Sequence, residues 1–139
     1  MPSIRYQRLA SELLPLANKF YKSQRSPMRV GRSEQVWVAQ QAEIIAACCL
    51  KPVADGHWLS ALLVAREQRQ QGVASQLLNT LRGHSQGPIW LFCAPQLLGF
   101  YQRLGFAPCP DLPGELNERL QRYQRKQPLL ALVAAQPGG

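Results

Sequence analysis

The stretch Leu62-Leu63-Val64-Ala65-Arg66-Glu67-Gln68-Arg69-Gln70-Gln71-Gly72-Val73-Ala74-Ser75-Gln76-Leu77-Leu78 reads as an apolar strand, a polar turn and an amphipathic helix. Val73, Leu77 and Leu81, with Ala74 and Leu78 beside them, recur at the spacing of one helical face. No Ser, Thr, Asp or Asn stands where the chain from Arg69 to Ala74 enters that helix. Its first backbone N–H groups are therefore expected to lack a side-chain acceptor. Gly72 has no Cβ, so a ligand can come close to the main chain there. Bare amides at the positive end of a helix dipole, next to a glycine, form an anion site, and phosphate is the anion expected.

The totals bound what surrounds this turn. A chain of 139 residues suits one domain spanning 1–139, burying about two-thirds of its unfolded surface. A charged fraction of 17% against a hydrophobic fraction of 46% describes a folded globule, not a disordered tail. No run approaches the ~18 apolar residues of a membrane helix, and Met1 to Ala10 lacks the apolar core of a signal peptide. A cytoplasmic location without membrane association is the simplest expectation. The four cysteines (Cys48, Cys49, Cys93, Cys109) contain no Cys-x-x-Cys pair and accompany only two histidines, so neither a metal site nor a disulfide framework is expected. Cys48 and Cys93 fall in apolar runs and read as small core residues. The net charge of +8 favours encounters with anions, whether nucleic acid or a phosphate-bearing coenzyme.

Taken in order, Ile4 and Tyr6 alternate with polar residues as in a short strand, and Ser11 is placed to cap a helix bearing Leu13, Leu14, Ala17, Phe20 and Tyr21. From Lys22 to Arg32 the pattern breaks into a basic loop or short helix with Lys22, Arg25, Arg29 and Arg32. Gln35–Gln40 and Ile44–Leu50 read as a hairpin around Gln41-Ala42-Glu43, with Pro52 ending the second strand. Asp55-Gly56 turns the chain into a third strand, His57–Ala65. Gly83 is expected just past the end of the helix that begins near Val73. Ile89–Cys93 is apolar throughout, as in a strand covered on both faces, so residues 57–93 form a strand–helix–strand unit with a parallel pair. Pro95 opens another helix that Gly105 closes. Ala107–Gly114 reads as a proline-rich loop, and Leu112, Leu116, Leu120 and Tyr123 as a last helical face. Leu129–Ala135 is a final strand and Gln136–Gly139 a frayed end.

Arg69-x-x-Gly72-x-Ala74 resembles the Gln/Arg-x-x-Gly-x-Gly/Ala signature of the GNAT N-acetyltransferase superfamily. Further on, Phe100-Tyr101-Gln102-Arg103-Leu104-Gly105-Phe106 resembles the family's Tyr-x-x-x-Gly-Phe segment. The resemblance covers roughly residues 30 to 107 and, more loosely, the whole chain. It implies a mixed α/β fold: a mostly antiparallel central sheet with a splayed parallel pair and helices on both faces. It also implies an acyltransferase that moves an acetyl group from acetyl-CoA, a co-substrate, to a primary amine by direct transfer in a ternary complex, without a metal. The pantetheine arm is expected to pair with the main chain of Leu62, Leu63 and Val64. The pyrophosphate is expected on the amides of Gln70, Gln71, Gly72, Val73 and Ala74, with the Ser75 hydroxyl within reach and Arg69 adding charge. Many members carry glycine where Gln70 stands, but the main-chain amide survives that change.

Acetyl transfer needs a neutral amine, donors for the developing oxyanion and a proton for the departing thiolate. Tyr101 matches the family's general acid, a phenol that stays protonated at pH 7; without the resemblance, it reads as a packed helix residue. Where members often carry a basic glutamate on the strand, this chain has Ser60. His57 has a suitable intrinsic pKa and is the candidate base, with Asp55 and Glu67 also nearby in sequence and water-relayed deprotonation as the alternative. Cys93 on an apolar strand is a poor thiolate, which argues against prior acylation. The segment Lys22–Arg32 is either a solvated surface or, as the resemblance implies, a wall of the acceptor pocket. In the second case, the small-molecule or peptide amine would carry negative charge. Two rival classes stand beside the enzyme. One is a non-catalytic CoA-sensing regulator, kept open by the missing glutamate. The other is a nucleic-acid-binding domain, against which the scattered positive residues and missing aromatic-basic platform argue. Monomer and homodimer are both compatible with the sequence.

Overall fold

Short connections and alternating apolar residues make consecutive strands pair as neighbours. The computed structural model describes residues 3–134. Strand β1 (Arg5–Arg8) leads through a 3₁₀ turn into helix α1 (Leu14–Ser23), followed by β2 (Gln35–Gln40), β3 (Ile44–Val53) and β4 (Gly56–Val64). Helix α2 (Val73–His84) crosses to β5 (Ile89–Cys93), and α3 (Leu98–Arg103), β6 (Ala107–Pro108), α4 (Gly114–Gln124) and β7 (Leu130–Ala134) complete the order. The seven strands form one sheet in the order β1-β2-β3-β4-β5-β7-β6. Every pairing is antiparallel except β4 with β5.

Both faces are covered. On one, Leu77, Leu78 and Leu81 of α2, together with Tyr101 of α3, pack on Trp37, Cys48, Leu50, Leu59 and Leu91. The three leucines are fully buried, each worth about 1.5–3 kcal/mol against exposure. On the other face, Ala17, Phe20 and Tyr21 of α1 cover Val36, Val38, Ala47 and Cys49. Leu116 of α4 covers Trp58 and Trp90 there. Residues of β5 thus alternate between two cores, the physical reason its sequence is apolar throughout. Among the described residues no helix is long and apolar enough to cross a membrane.

Several local expectations need correction. Ser11 does not cap a helix: it begins a 3₁₀ turn over Ser11–Leu13, and α1 starts at Leu14 with no side-chain cap and Pro15 in its first turn. Pro52 does not stop β3. It pairs opposite His57 with its side chain exposed, and the strand runs on to Val53. Gly83 lies inside α2, whose C-cap is Ser85. The proline-rich segment contains β6, which pairs Ala107 with Val133 and Pro108 with Leu132. Leu112 precedes α4, whose buried anchor is Leu116. The last strand runs Leu130–Ala134; Ala135 and the expected frayed end Gln136–Gly139 lie outside the described residues.

Candidate functional site

The site is opened by a divergence of strands. β4 and β5 pair only through His57 with Ile89 and Trp58 with Trp90. Beyond those positions β4 stays with β3 as far as Val64, and β5 stays with β7 as far as Cys93. The gap widens into a cavity of about 780 Å³. Leu62, Leu63 and Val64 line one wall, while Leu97, Phe100 and Tyr101 are on the lining too. The turn into α2 supplies the rest: Gln68, Arg69, Gln70, Gly72, Val73, Ala74 and Ser75.

That turn is shaped by two left-handed residues, Gln70 (φ 63°) and Gly72 (φ 78°). Gly72 is the N-cap of α2, where no side chain caps the helix, and its carbonyl accepts the first helical bond from Gln76 N–H at 3.0 Å. Among the described residues, no protein acceptor meets the main-chain N–H groups of Gln70, Gln71, Gly72, Val73, Ala74 or Ser75. Such groups carry the positive end of the helix dipole. Beyond its chain neighbours, a Cβ built on Gly72 would meet no atom of the described residues within 4 Å, so protein packing does not require glycine there; the positive φ does. Arg69 Nε donates to the Val64 carbonyl at 3.1 Å, tying the turn to the end of β4 and keeping a positive charge beside the cleft. Gln71 is not on the cleft lining; its side-chain amide donates back to the Glu67 carbonyl at 3.2 Å.

Tyr101 is held by the end of its own helix. Phe106 N–H donates to the Tyr101 carbonyl and Gly105 N–H to the Gln102 carbonyl, both at 3.0 Å. Gly105 sits between them with φ 93°. This is the paired closure of a Schellman cap, and it brings the Phe106 ring against Tyr101 with centroids 5.8 Å apart. Phe100 meets the same ring at 5.0 Å, edge on. The Tyr-x-x-x-Gly-Phe spacing therefore encodes a helix stop that fixes the tyrosine at the cleft. Tyr101 is 8% exposed, and its burial, with smaller contributions from the Cys93 and Cys48 thiols, pushes its phenol up to about 12. Burial likewise raises the Cys93 thiol, so the protonated form prevails.

A family model described as an acetyltransferase (GNAT) domain matches residues 32–108, which include the cleft strands, the turn and the Tyr101 segment. The chain belongs to the GNAT family. No curated protein matches it in sequence. Among solved structures, this GNAT chain is similar to a GNAT-family acetyltransferase from Staphylococcus aureus, with TM-score 0.66, 14% identity and coverage of 96% of this chain and 99% of that one. It is also similar to Tetrahymena GCN5, with TM-score 0.70, 12% identity and coverage of 95% and 96%. A third is N-acetylglutamate synthase from Neisseria gonorrhoeae, solved with coenzyme A and N-acetyl-glutamate: TM-score 0.65, 17% identity, 98% of this chain and 35% of that one. At such identities the common property is the GNAT fold.

Within this GNAT chain, the structure does not bring His57 to the cleft. It lies at the closed end, paired with Pro52 and Ile89, roughly 16 Å along β4 from Leu62 at 3.3 Å per residue. Asp55 and Glu67 are exposed and also off the lining, so no carboxylate or imidazole among the described residues lines the cleft. Gln68, Leu97 and Phe100 line it without having been picked out from sequence; Phe100 alone had a signal, its place beside Tyr101.

Proposed function

We propose that the protein is an acetyl-CoA-dependent N-acetyltransferase that transfers directly to a primary amine while both substrates are bound. The observation that carries this reading is the row of unpartnered amides from Gln70 to Ser75 at the mouth of the gap between β4 and β5. Acetyl-CoA supplies the acetyl group as a thioester. The amides and Arg69 bind the diphosphate by charge-assisted hydrogen bonds. The edge of β4 at Leu62, Leu63 and Val64, left without a β5 partner, holds the pantetheine arm by main-chain pairing. Tyr101 gives its hydroxyl proton to the departing sulfur, and its raised pKa keeps that proton available throughout the neutral range.

With no imidazole or carboxylate among the described residues on the cleft lining, the amine loses its proton to solvent and not to a dedicated base. The acceptor is a small-molecule or peptide amine that also bears a carboxylate or phosphate. Lys22 in the last turn of α1 and Arg25, Arg29 and Arg32 between α1 and β2 are all exposed, and among the described residues none is ion-paired. The N-acetylglutamate seen in the Neisseria gonorrhoeae synthase is itself anionic.

The test has two stages. Acetyl-CoA should raise the melting temperature by linkage, and free thiol should then appear with amines that carry a negative group. Salt should raise the KM of an anionic acceptor and leave that of a neutral amine nearly unchanged. Absence of coenzyme stabilisation would remove the reading. Binding without thiol release across neutral, cationic and anionic amines would reduce the protein to a coenzyme sensor.

A further inference from the structure

Tyr21 of α1 is fully buried and is not on the cleft lining, yet it touches the strand that forms the wall. Its hydroxyl donates to the main-chain carbonyl of Ala61 at 2.7 Å. Cys49 Sγ lies 3.8 Å from the Tyr21 hydroxyl oxygen.

Ala61 is where β4 breaks register. Leu63 pairs with Ala47 and Ser60 with Cys49, so β4 carries one more residue than β3 over this interval. The extra residue makes a bulge, and Ala61 takes a φ of 56°. A left-handed alanine persists only where its surroundings enforce it. The bulge decides the site geometry. Leu59 and Leu62, three positions apart, both pack against the α2 side, and Leu62 begins the wall of the cleft. Without the extra residue, Leu62, Leu63 and Val64 would exchange faces, and their N–H and C=O groups would exchange edges.

We infer that Tyr21 is a positioning residue for acetyl transfer: by hydrogen-bonding the Ala61 carbonyl, it fixes the bulge that presents the main chain of Leu62–Val64 to the thioester arm. The inference rests on the acetyl-CoA reading of the cleft, but its first readout does not. Tyr21→Phe keeps the ring and removes the oxygen. In the ligand-free protein, the Ala61 ¹³Cα and ¹³Cβ shifts report its backbone region, and in Tyr21→Phe they should move from left-handed toward extended values. At saturating acetyl-CoA, kcat should fall roughly tenfold, and the coenzyme KM should rise only about threefold, because the pairing with Leu62–Val64 is loosened while the diphosphate amides from Gln70 to Ser75 are untouched. Adding Ala61→Gly, which adopts positive φ freely, should bring kcat back to within about threefold of the parent. A residue that merely packed under α1 would gain nothing from that glycine. If Tyr21→Phe alone does not fold, the double variant should, and its failure to do so would overturn the inference. So would unchanged Ala61 shifts, or the same kcat loss with and without Ala61→Gly. A parent protein that turns over amines beside an equally active Tyr21→Phe would sink this inference alone. A parent that binds no acetyl-CoA would sink the reading it rests on as well.

Discussion

Gly72 separates stability from coenzyme binding more cleanly than any other position. It holds φ 78°, and beyond its chain neighbours a Cβ there would meet no atom of the described residues within 4 Å. Gly72→Ala should therefore cost only backbone strain, about 1–2 kcal/mol, less about 0.5 kcal/mol returned by the restricted unfolded chain. The net is about 1 kcal/mol, or about 3–5 °C in Tm for a chain of this size. Acetyl-CoA affinity should fall further than stability, at least tenfold, because the added methyl enters the space in front of the amides. Gly72→Glu adds a charge as well. At about 4 Å from a phosphate oxygen and an effective dielectric near 20, each pair of like charges costs about 4 kcal/mol, roughly a thousandfold in Kd. The assay is differential scanning fluorimetry without ligand, paired with calorimetric titration of acetyl-CoA. If both variants bind the coenzyme as the parent does, the diphosphate does not sit on this turn, and the function built on it is wrong.

Gln70→Gly should behave oppositely, since φ 63° at Gln70 is strain that glycine relieves; Tm should change by less than about 2 °C, with coenzyme affinity equal or higher by titration. Tyr101→Phe keeps the ring contacts with Phe100 and Phe106, so acetyl-CoA should bind normally while kcat drops about 10²-fold in single-turnover thiol release. Alkaline pH should destabilise the fold. The Tyr101 phenol titrates near 10 when unfolded and near 12 when folded, so its stabilising contribution is complete below pH 10. It is then lost toward pH 12 at up to about 1.4 kcal/mol per unit. Urea denaturation at pH 9, 10 and 11 should show this fall, shallower in Tyr101→Phe, with buried Tyr21 adding in the same direction.

Part of this was legible in the residues alone. Gln35–Gln40 and Ile89–Cys93 read as the strands they form, and α2 begins at Val73 where its apolar spacing begins. The uncapped turn from Arg69 to Ala74 was equally visible. Each of these is a local matter: periodicity records which side of a segment is buried, and a missing cap is a property of a few consecutive residues.

Other features are properties of pairs of segments far apart in the chain, and only the tertiary structure decided them. β3 passes through Pro52 because His57 lies opposite, and β6 exists because Val133 and Leu132 offer it an edge. The parting of β4 from β5 beyond Trp58 opens the cleft and leaves His57 at its closed end. The extra residue at Ala61 has no mark in the sequence, and Tyr21, forty positions away, is what holds it. Register, divergence and bulges follow from which strand meets which, and that information lies between segments, not within them.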